Sequence, residues 1–284
     1  QTPLGLQFDP AAGLQIRLNS MPLKRLSELA SQLPLQYISA NCHQFFELGP
    51  RFRRQLVDWG VFHVEPTFNF HWQSYKKILL QRNSALKKRK NVDEIRLWDE
   101  HLIQHGEQIN AFRRRYLHSL MQDFITIFIR MCTDYKSATF SLRHKTGWLK
   151  DQDLSTALDA GFERDRTLGY TKSGSHAADW SFRINDADPA EMLSRGQQKL
   201  FYLALSMAQG SLSITNHRDK SILLIDDLSS ELDLSHQETV LAELEKLPVQ
   251  SFITSADASL KSMIHRERDM VFHVKQGAMD AKES

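Results

Sequence analysis

The chain has 284 residues, with 36 Lys and Arg against 34 Asp and Glu, a formal net charge of +2 and 41% apolar residues. That length suits one large domain or two modest ones with a real core, and so mild a charge does not by itself name a nucleic-acid partner; any DNA surface would have to be local. The only cysteines, Cys42 and Cys132, are far apart, the pattern of buried free thiols in a reducing compartment and not of a disulfide frame.

No basic-then-apolar start opens the chain, and no apolar run approaches the roughly 18–20 residues of a membrane helix, so a cytoplasmic protein without a membrane partner is expected. The sequence opens on Gln1, not on methionine, and is expected to be a fragment of something longer. Residues 1–70 are mixed. Leu14 to Leu18 alternates like a strand, Pro22 to Leu33 reads as a short helix and Leu35 to Ser39 as another strand.

Residues 71–135 hold no proline and a single glycine, Gly106. Trp98, Leu102, Ile109, Phe112, Tyr116, Leu120, Phe124, Ile127 and Met131 recur in helical steps, and Trp72, Tyr75, Leu79 and Leu86 form a similar stripe before them. The polar run from Lys87 to Glu94 between the stripes predicts the tip of an antiparallel hairpin, with the stripes as packing seams. Residues 136–284 then alternate. Thr139 to Arg143 is strand-like, Gln197 to Ala208 helical and Ser221 to Ile225 a continuous apolar strand. Leu234 to Leu247 is helical and Ser251 to Thr254 a buried strand, which together predict an α/β sheet.

The apolar strand Ile222 to Ile225 ends in two carboxylates, Asp226 and Asp227. Such a strand delivers its first carboxylate to the carboxyl edge of a parallel sheet. There it can serve Mg²⁺ beside nucleotide phosphates while its neighbour polarises a water. Taken alone, the same pattern fits a strand running into an acidic turn. Upstream, Ser194 and Gln197 form a capping box, and Gly196 between them would let an anion approach the helix N-terminus. Most capping boxes only start a helix. Ser230-Glu231-Leu232-Asp233 by itself is a polar turn. The order of helix start, helix, acidic strand and polar turn, running from Leu193 to Asp233, is what chance does not readily assemble.

This stretch is similar to the RecF family of ABC-type, SMC-like ATPases. Gly49 to Gly60 resembles the family's Gly-x-x-x-Arg-Arg-x-x-x-Asp segment. Gly161 to Arg166 and Tyr170 to Asp179 resemble its Gly-Pro-His-x-x-Asp region, so the resemblance covers nearly the whole chain. It implies an α/β ABC-type ATPase lobe with an inserted helical, antiparallel-hairpin lobe. Residues 1–70 would be part of the ATPase lobe, 71–135 the helical lobe and 136–284 the rest, with signature, Walker B and D-loop. It further implies an ATP-gated protein of recombinational repair, replication restart and the SOS response. Such a protein binds double-stranded DNA and single/double-strand junctions, forms a homodimer on ATP, and helps load recombinase at gaps with RecR and RecO-type mediators. By the same resemblance Asp226 serves Mg²⁺ and Asp227 is the catalytic residue. Ser194, Gly196, Gln197 and Asp233 bind ATP, the first two at the γ-phosphate held by the partner protomer.

The sequence also departs from the family. No Gly-x-x-x-x-Gly-Lys-Ser/Thr occurs in it, so Gln1 is expected to fall after the family's phosphate-binding loop, and this chain alone is expected not to hydrolyse ATP. For the same reason Ser221 to Ile225 is expected to lack packing on at least one side. Ser175 stands where the family has proline, and Thr254-Ser255 ends a strand where many ABC proteins place a switch histidine, so no histidine is assigned to catalysis. The Q-loop residue should lie near Ser39–Gln44. The alternative is a non-enzymatic DNA-binding or scaffold protein that has lost ATP binding; the joint presence of signature and acidic pair argues against it. An SMC-kind protein would need a coiled coil far longer than a hairpin of roughly 60 residues.

Lys87 to Lys90 and Arg113-Arg114-Arg115 are candidates for touching DNA backbone, although such runs are commonly solvated helix faces. His101 and His105 sit one helical turn apart but lack a further spaced zinc ligand. His176 beside Asp179 reads as a structural hydrogen bond or dimer surface before a catalytic pair.

Overall fold

Short antiparallel strands open the chain in the computed structural model, which describes residues 3–10, 13–23, 26–214, 221–257, 260, 263, 269–275 and 278–281. β1 (Leu4–Asp9), β2 (Gly13–Leu18) and β3 (Met21–Pro22) pair in that order. The helix expected from Pro22 therefore begins later, as α1 (Leu26–Gln32). Pro22 instead closes an edge strand against Arg17, where its missing N–H costs no ladder bond.

β4 (Leu35–Ile38), α2 (Gln44–Glu47) and α3 (Pro50–Val64) lead into the helical hairpin. The hairpin consists of α4 (Phe68–Lys87), the short α5 (Val92–Arg96) and α6 (Asp99–Met131). Lys87 to Lys90 sits exposed at its tip, as the spacing predicts, with Lys90 paired to Glu94 at 3.0 Å. β5 (Phe140–Lys145), α7 (Leu154–Ala160), α8 (Phe162–Leu168), β6 (Asp179–Ile184) and α9 (Pro189–Met192) follow. The remainder is α10 (Arg195–Ile214), β7 (Ile222–Ile225), α11 (Leu234–Glu245), β8 (Gln250–Ile253), β9 (Phe272–Lys275) and β10 (Ala278–Ala281).

The last zone is not one sheet. β5 and β6 form an antiparallel ribbon of their own, as do β9 and β10, while β4, β7 and β8 make a three-stranded parallel sheet in the order β4-β7-β8. β7 is thus the centre strand, hydrogen-bonded on both edges. The packing it lacks is on one face. Tyr37, Leu224 and Phe252 lie in register across the sheet, and the outer two are 58% and 52% exposed. The opposite face, with Ile38, Leu223 and Ile225, is buried.

That buried face belongs to a core continuous with the hairpin. Phe124 and Phe128 of α6 stack on one another at 5.5 Å and reach Phe201 of α10 at 4.6 and 5.6 Å. All three are fully buried, so truncating any of them to alanine should cost about 3–5 kcal/mol. No helix among the described residues is long and apolar enough to cross a membrane.

Candidate functional site

The carboxyl edge of the parallel sheet gathers the acidic pair. Asp226 N–H extends the ladder to Ile38 O at 2.9 Å, which fixes the residue directly beyond β7. Its carboxylate accepts from Tyr37 Oη at 3.1 Å and from Thr254 Oγ1 at 2.8 Å, one hydroxyl from each flanking strand. The same Thr254 hydroxyl accepts the Asp227 N–H at 2.9 Å, so one side chain sets both acids. The bond to Asp226 is the main reason Tyr37's ionisation is pushed up, and the phenol stays a donor. Asp227 turns out of the strand with φ of 47° and takes Ser229 Oγ on its carboxylate at 3.0 Å. Among the described residues no basic side chain pairs with either carboxylate. Oxygen ligands at an open sheet edge, held by neutral hydroxyls, fit a hard divalent cation.

α10 begins beside this edge. The capping box closes in both directions, Gln197 N–H to Ser194 Oγ at 3.3 Å and Ser194 N–H to Gln197 Oε1 at 3.0 Å, with Ser194 exposed. Gln197 Oε1 also takes Tyr135 Oη at 3.2 Å. Gly196 has a purpose that phosphate access does not describe. A Cβ there would stand 2.7 Å from Glu231 O, so only glycine lets the turn after β7 lie against the helix start. Asp233 ends that turn as the N-cap of α11, accepting His236 N–H at 2.8 Å. This backbone bond, with the His236 side chain beside it, holds the Asp233 carboxyl below its usual range.

The structure thus brings Asp226, Asp227, Ser194, Gly196, Gln197 and Asp233 into two neighbouring groups joined by residues 227–233. Thr254, Tyr37 and Lys199 were missed by sequence reasoning. Lys199 is fully buried and donates to the carbonyls of Asp227 and Ser230 at 2.7 Å each. A lysine one turn past the capping box, on the apolar side of a helix, is the signal that could have found it.

The chain is 38% identical over 279 residues to the DNA replication and repair protein RecF of Nitrosococcus oceani, covering 97% of this chain and 76% of that protein. It is 38% identical over 278 residues to RecF of Pseudomonas fluorescens, covering 96% and 75%. The chain belongs to the RecF family. Among solved structures, the recombination mediator RecF with ATP superposes with a TM-score of 0.82 at 22% identity over 99% of this chain and 76% of that one. An SMC head bound to the C-winged helix domain of ScpA gives 0.55 at 12% identity, over 99% and 67%. The fold is accordingly the α/β ABC-type ATPase lobe that RecF and SMC heads share. No family model matches the chain.

The RecF-like segments outside this edge form partly or fully buried arginine contacts. Arg53 makes a two-pronged pair with Asp179 at 2.9 Å on each arm, and Arg54 donates to Ala178 O at 2.7 Å. Arg113 does not face DNA. It is 5% exposed and forks onto Asp58 at 2.7 and 2.9 Å, with a further bond to Ser175 O at 2.7 Å, because α6 turns that side toward α3. Arg115 pairs with Glu65 at 2.7 Å, and Arg114 is exposed. Ser175, standing where the family has proline, gives its hydroxyl to Gly106 O at 2.6 Å.

His176 and Asp179 are not a pair. His176 Nδ1 meets Tyr75 Oη at 2.7 Å and Nε2 meets Thr171 O at 2.9 Å, while Asp179 holds Arg53. His105 likewise meets His71 of α4, Nδ1 to Nδ1 at 3.0 Å, while His101 is exposed; no group of three or more metal-ligating side chains occurs among the described residues. In the segment where the Q-loop was expected, Cys42 is buried with its thiol pushed up to about 11, chiefly by burial.

Proposed function

We propose that this RecF-family chain carries one half of a composite ATP site in a DNA-binding protein of recombinational repair, and that the site assembles when two protomers close. The observation that supports this best is the joint hold of Thr254 on Asp226 and Asp227, next to an exposed, fully closed capping box on α10. Asp226, kept at the sheet edge by two hydroxyls, would hold Mg²⁺, which on binding neutralises phosphate charge. Asp227, aimed out of the strand, would orient water. The exposed Ser194 hydroxyl, the Gly196 N–H that the capping box leaves open and the positive end of α10, with Gln197 holding the cap, would face a γ-phosphate on the facing protomer, with Asp233 in the turn between. A phosphate-binding loop and lysine must come from outside these 284 residues, which contain no such motif. The open row Tyr37–Leu224–Phe252 is a suitable seat for the apolar side of that segment.

In this reading residues 1–70 and 136–284 serve the ATPase lobe and 71–135 the helical lobe, with closure gated by ATP and ended by hydrolysis. Double-stranded DNA and its junctions with single strands would lie along the exposed lysines of the hairpin tip. RecR- and RecO-type proteins would be its mediators, since RecF with ATP is a recombination mediator of the RecFOR pathway. The whole protein, followed by light scattering, is expected to double its mass on adding Mg-ATP, whereas Ser194→Arg should bind nucleotide and stay monomeric. Dimerisation of Ser194→Arg on ATP would remove the signature assignment. Duplex-DNA affinity should fall steeply with salt and vary little with sequence, and a flat salt series would remove the DNA part.

A further inference from the structure

Lys199 has no role in the reading so far. It lies at 0% exposure on the inward face of α10, followed by Leu200, Phe201 and Leu203, each at most 1% exposed. A methionine or leucine would fill such a place without the cost of taking an ammonium out of water. Its Nζ instead spends two of its three donors on main-chain oxygens of one turn, Asp227 O and Ser230 O, at 2.7 Å each. That turn contains two non-glycine residues in the left-handed region, Asp227 at φ 47° and Glu231 at φ 65°, a backbone that persists only where its surroundings hold it.

Gly196 lies three residues before Lys199 and shares its face of α10. It admits Glu231 O, while Arg195 Nη1 and His43 Nδ1 stand 4.0 and 3.8 Å from the Glu231 carboxylate. The helix start and the acidic turn are thus docked at several points, of which Lys199 is the one that reaches the backbone of Asp227 itself. Burial draws the Lys199 ammonium below its usual range, and Cys42, Asp227, Glu231 and Asp226 act against that.

We infer that Lys199 is a positioning residue of the nucleotide site, fixing the Asp227 backbone and the 227–231 turn to the first turns of α10. One consequence is that the acid facing a protomer's own nucleotide and the capping box facing its partner's move as one piece. The inference rests on the proposed ATP site.

The test uses the whole protein and two readouts: steady-state ATP hydrolysis, and hydrogen exchange of the amides in residues 228–232. Lys199→Met should lower kcat by about tenfold or more while KM for ATP stays within about twofold, because a turn out of place harms the reacting geometry more than nucleotide binding. Exchange should quicken by about tenfold or more in 228–232 while α10 amides keep their protection. Lys199→Arg, which can still donate to both carbonyls, should recover part of kcat. Wild-type kcat and turn protection in Lys199→Met would overturn the inference. So would equal loss of protection along all of α10, the mark of a merely structural lysine. If Lys199→Met does not fold, Lys199→Gln is read by the same criteria. Asp226→Asn, run in parallel, separates the two ideas. If it leaves nucleotide turnover unchanged, the proposed site fails and the role of Lys199 in hydrolysis fails with it, and the exchange data alone then decide whether Lys199 holds the turn.

Discussion

The molecule treats its carboxylates in two opposite ways. Where the hairpin, α3, α8 and β6 come together, four acids are taken up by guanidinium groups: Asp99 and Asp165 by Arg82, Asp58 by Arg113, Asp179 by Arg53. At the sheet edge, the carboxylates of Asp226 and Asp227 accept from hydroxyls, the Asp227 N–H donates to one of the same hydroxyls, and neither acid is paired with a cation among the described residues. The first arrangement satisfies charge inside the protein and leaves nothing for a ligand. The second fixes direction without cancelling charge, which is what a site awaiting a metal or a polarised water requires. Carboxylates alone therefore do not mark a site; the partner that positions them does.

Four measurements would break or sharpen that contrast. Arg82→Ala has the largest expected effect. The arginine is fully buried with Asp165 1% exposed, and removing it takes the nearest cation from both Asp99 and Asp165, so urea unfolding should show a loss of about 3–5 kcal/mol. A loss below about 1 kcal/mol would mean the hairpin's acids are no better paired than surface ones. Arg113→Lys keeps the charge but cannot fork onto Asp58 and reach Ser175 O together; a cost of about 1–3 kcal/mol in the same assay is expected.

The third concerns pH. His176 is pushed below its usual range, first by burial, and the network assigns it Nε2–H to Thr171 O with Nδ1 accepting from Tyr75. A depressed folded value means the unfolded chain takes up the proton first. The stabilisation is therefore complete above the ordinary histidine range near about pH 6.5 and is lost as pH falls below it. Tm should stay level from neutral pH upward and drop on acidification, and His176→Gln should flatten the part of that drop near pH 6; an unchanged slope would show that His176 is not neutral in the fold. The smallest expected change is Asp226→Asn, whose amide oxygen can still accept from Thr254. Stability should move by no more than about 0.5 kcal/mol, while calorimetry on the whole protein should show weakened Mg-ATP binding. A large stability loss would place Asp226 with the structural acids.

Much of this was legible from one-dimensional pattern. The apolar run before Asp226 could only be a buried strand, the capping box is local chemistry, and the helical stripes with a lysine run between them give the hairpin. What could not be read was long-range pairing. Arg113 looks like its neighbours Arg114 and Arg115 in the sequence, yet one faces α3 and forks onto Asp58 because the helix turns by about 100° per residue. Thr254 looked like an absent histidine and is the hydroxyl that orients both acids, a role set by the register of β8 beside β7. Pro22 was assigned to a helix because nothing local shows that β2 will pair with it. The strand at Thr139 to Arg143 reads as a member of one sheet, and only its antiparallel pairing with β6, a strand the sequence reading did not find, separates it from that sheet.

The length of α6 has a mechanical consequence. Its 33 residues run unbroken and without proline, a rod of about 50 Å. One end stands by the lysines of the hairpin tip, and the other is clamped through Phe124 and Phe128 onto Phe201, on the helix that Ser194 caps. A tilt of about 1° about the clamp would displace the far end of the helix by only about 0.7 Å. Bending the rod would break its own hydrogen bonds, and Arg113 on Asp58 and Ser175 on Gly106 O tie it down between its ends, so the hairpin tip and α10 are carried by one stiff body.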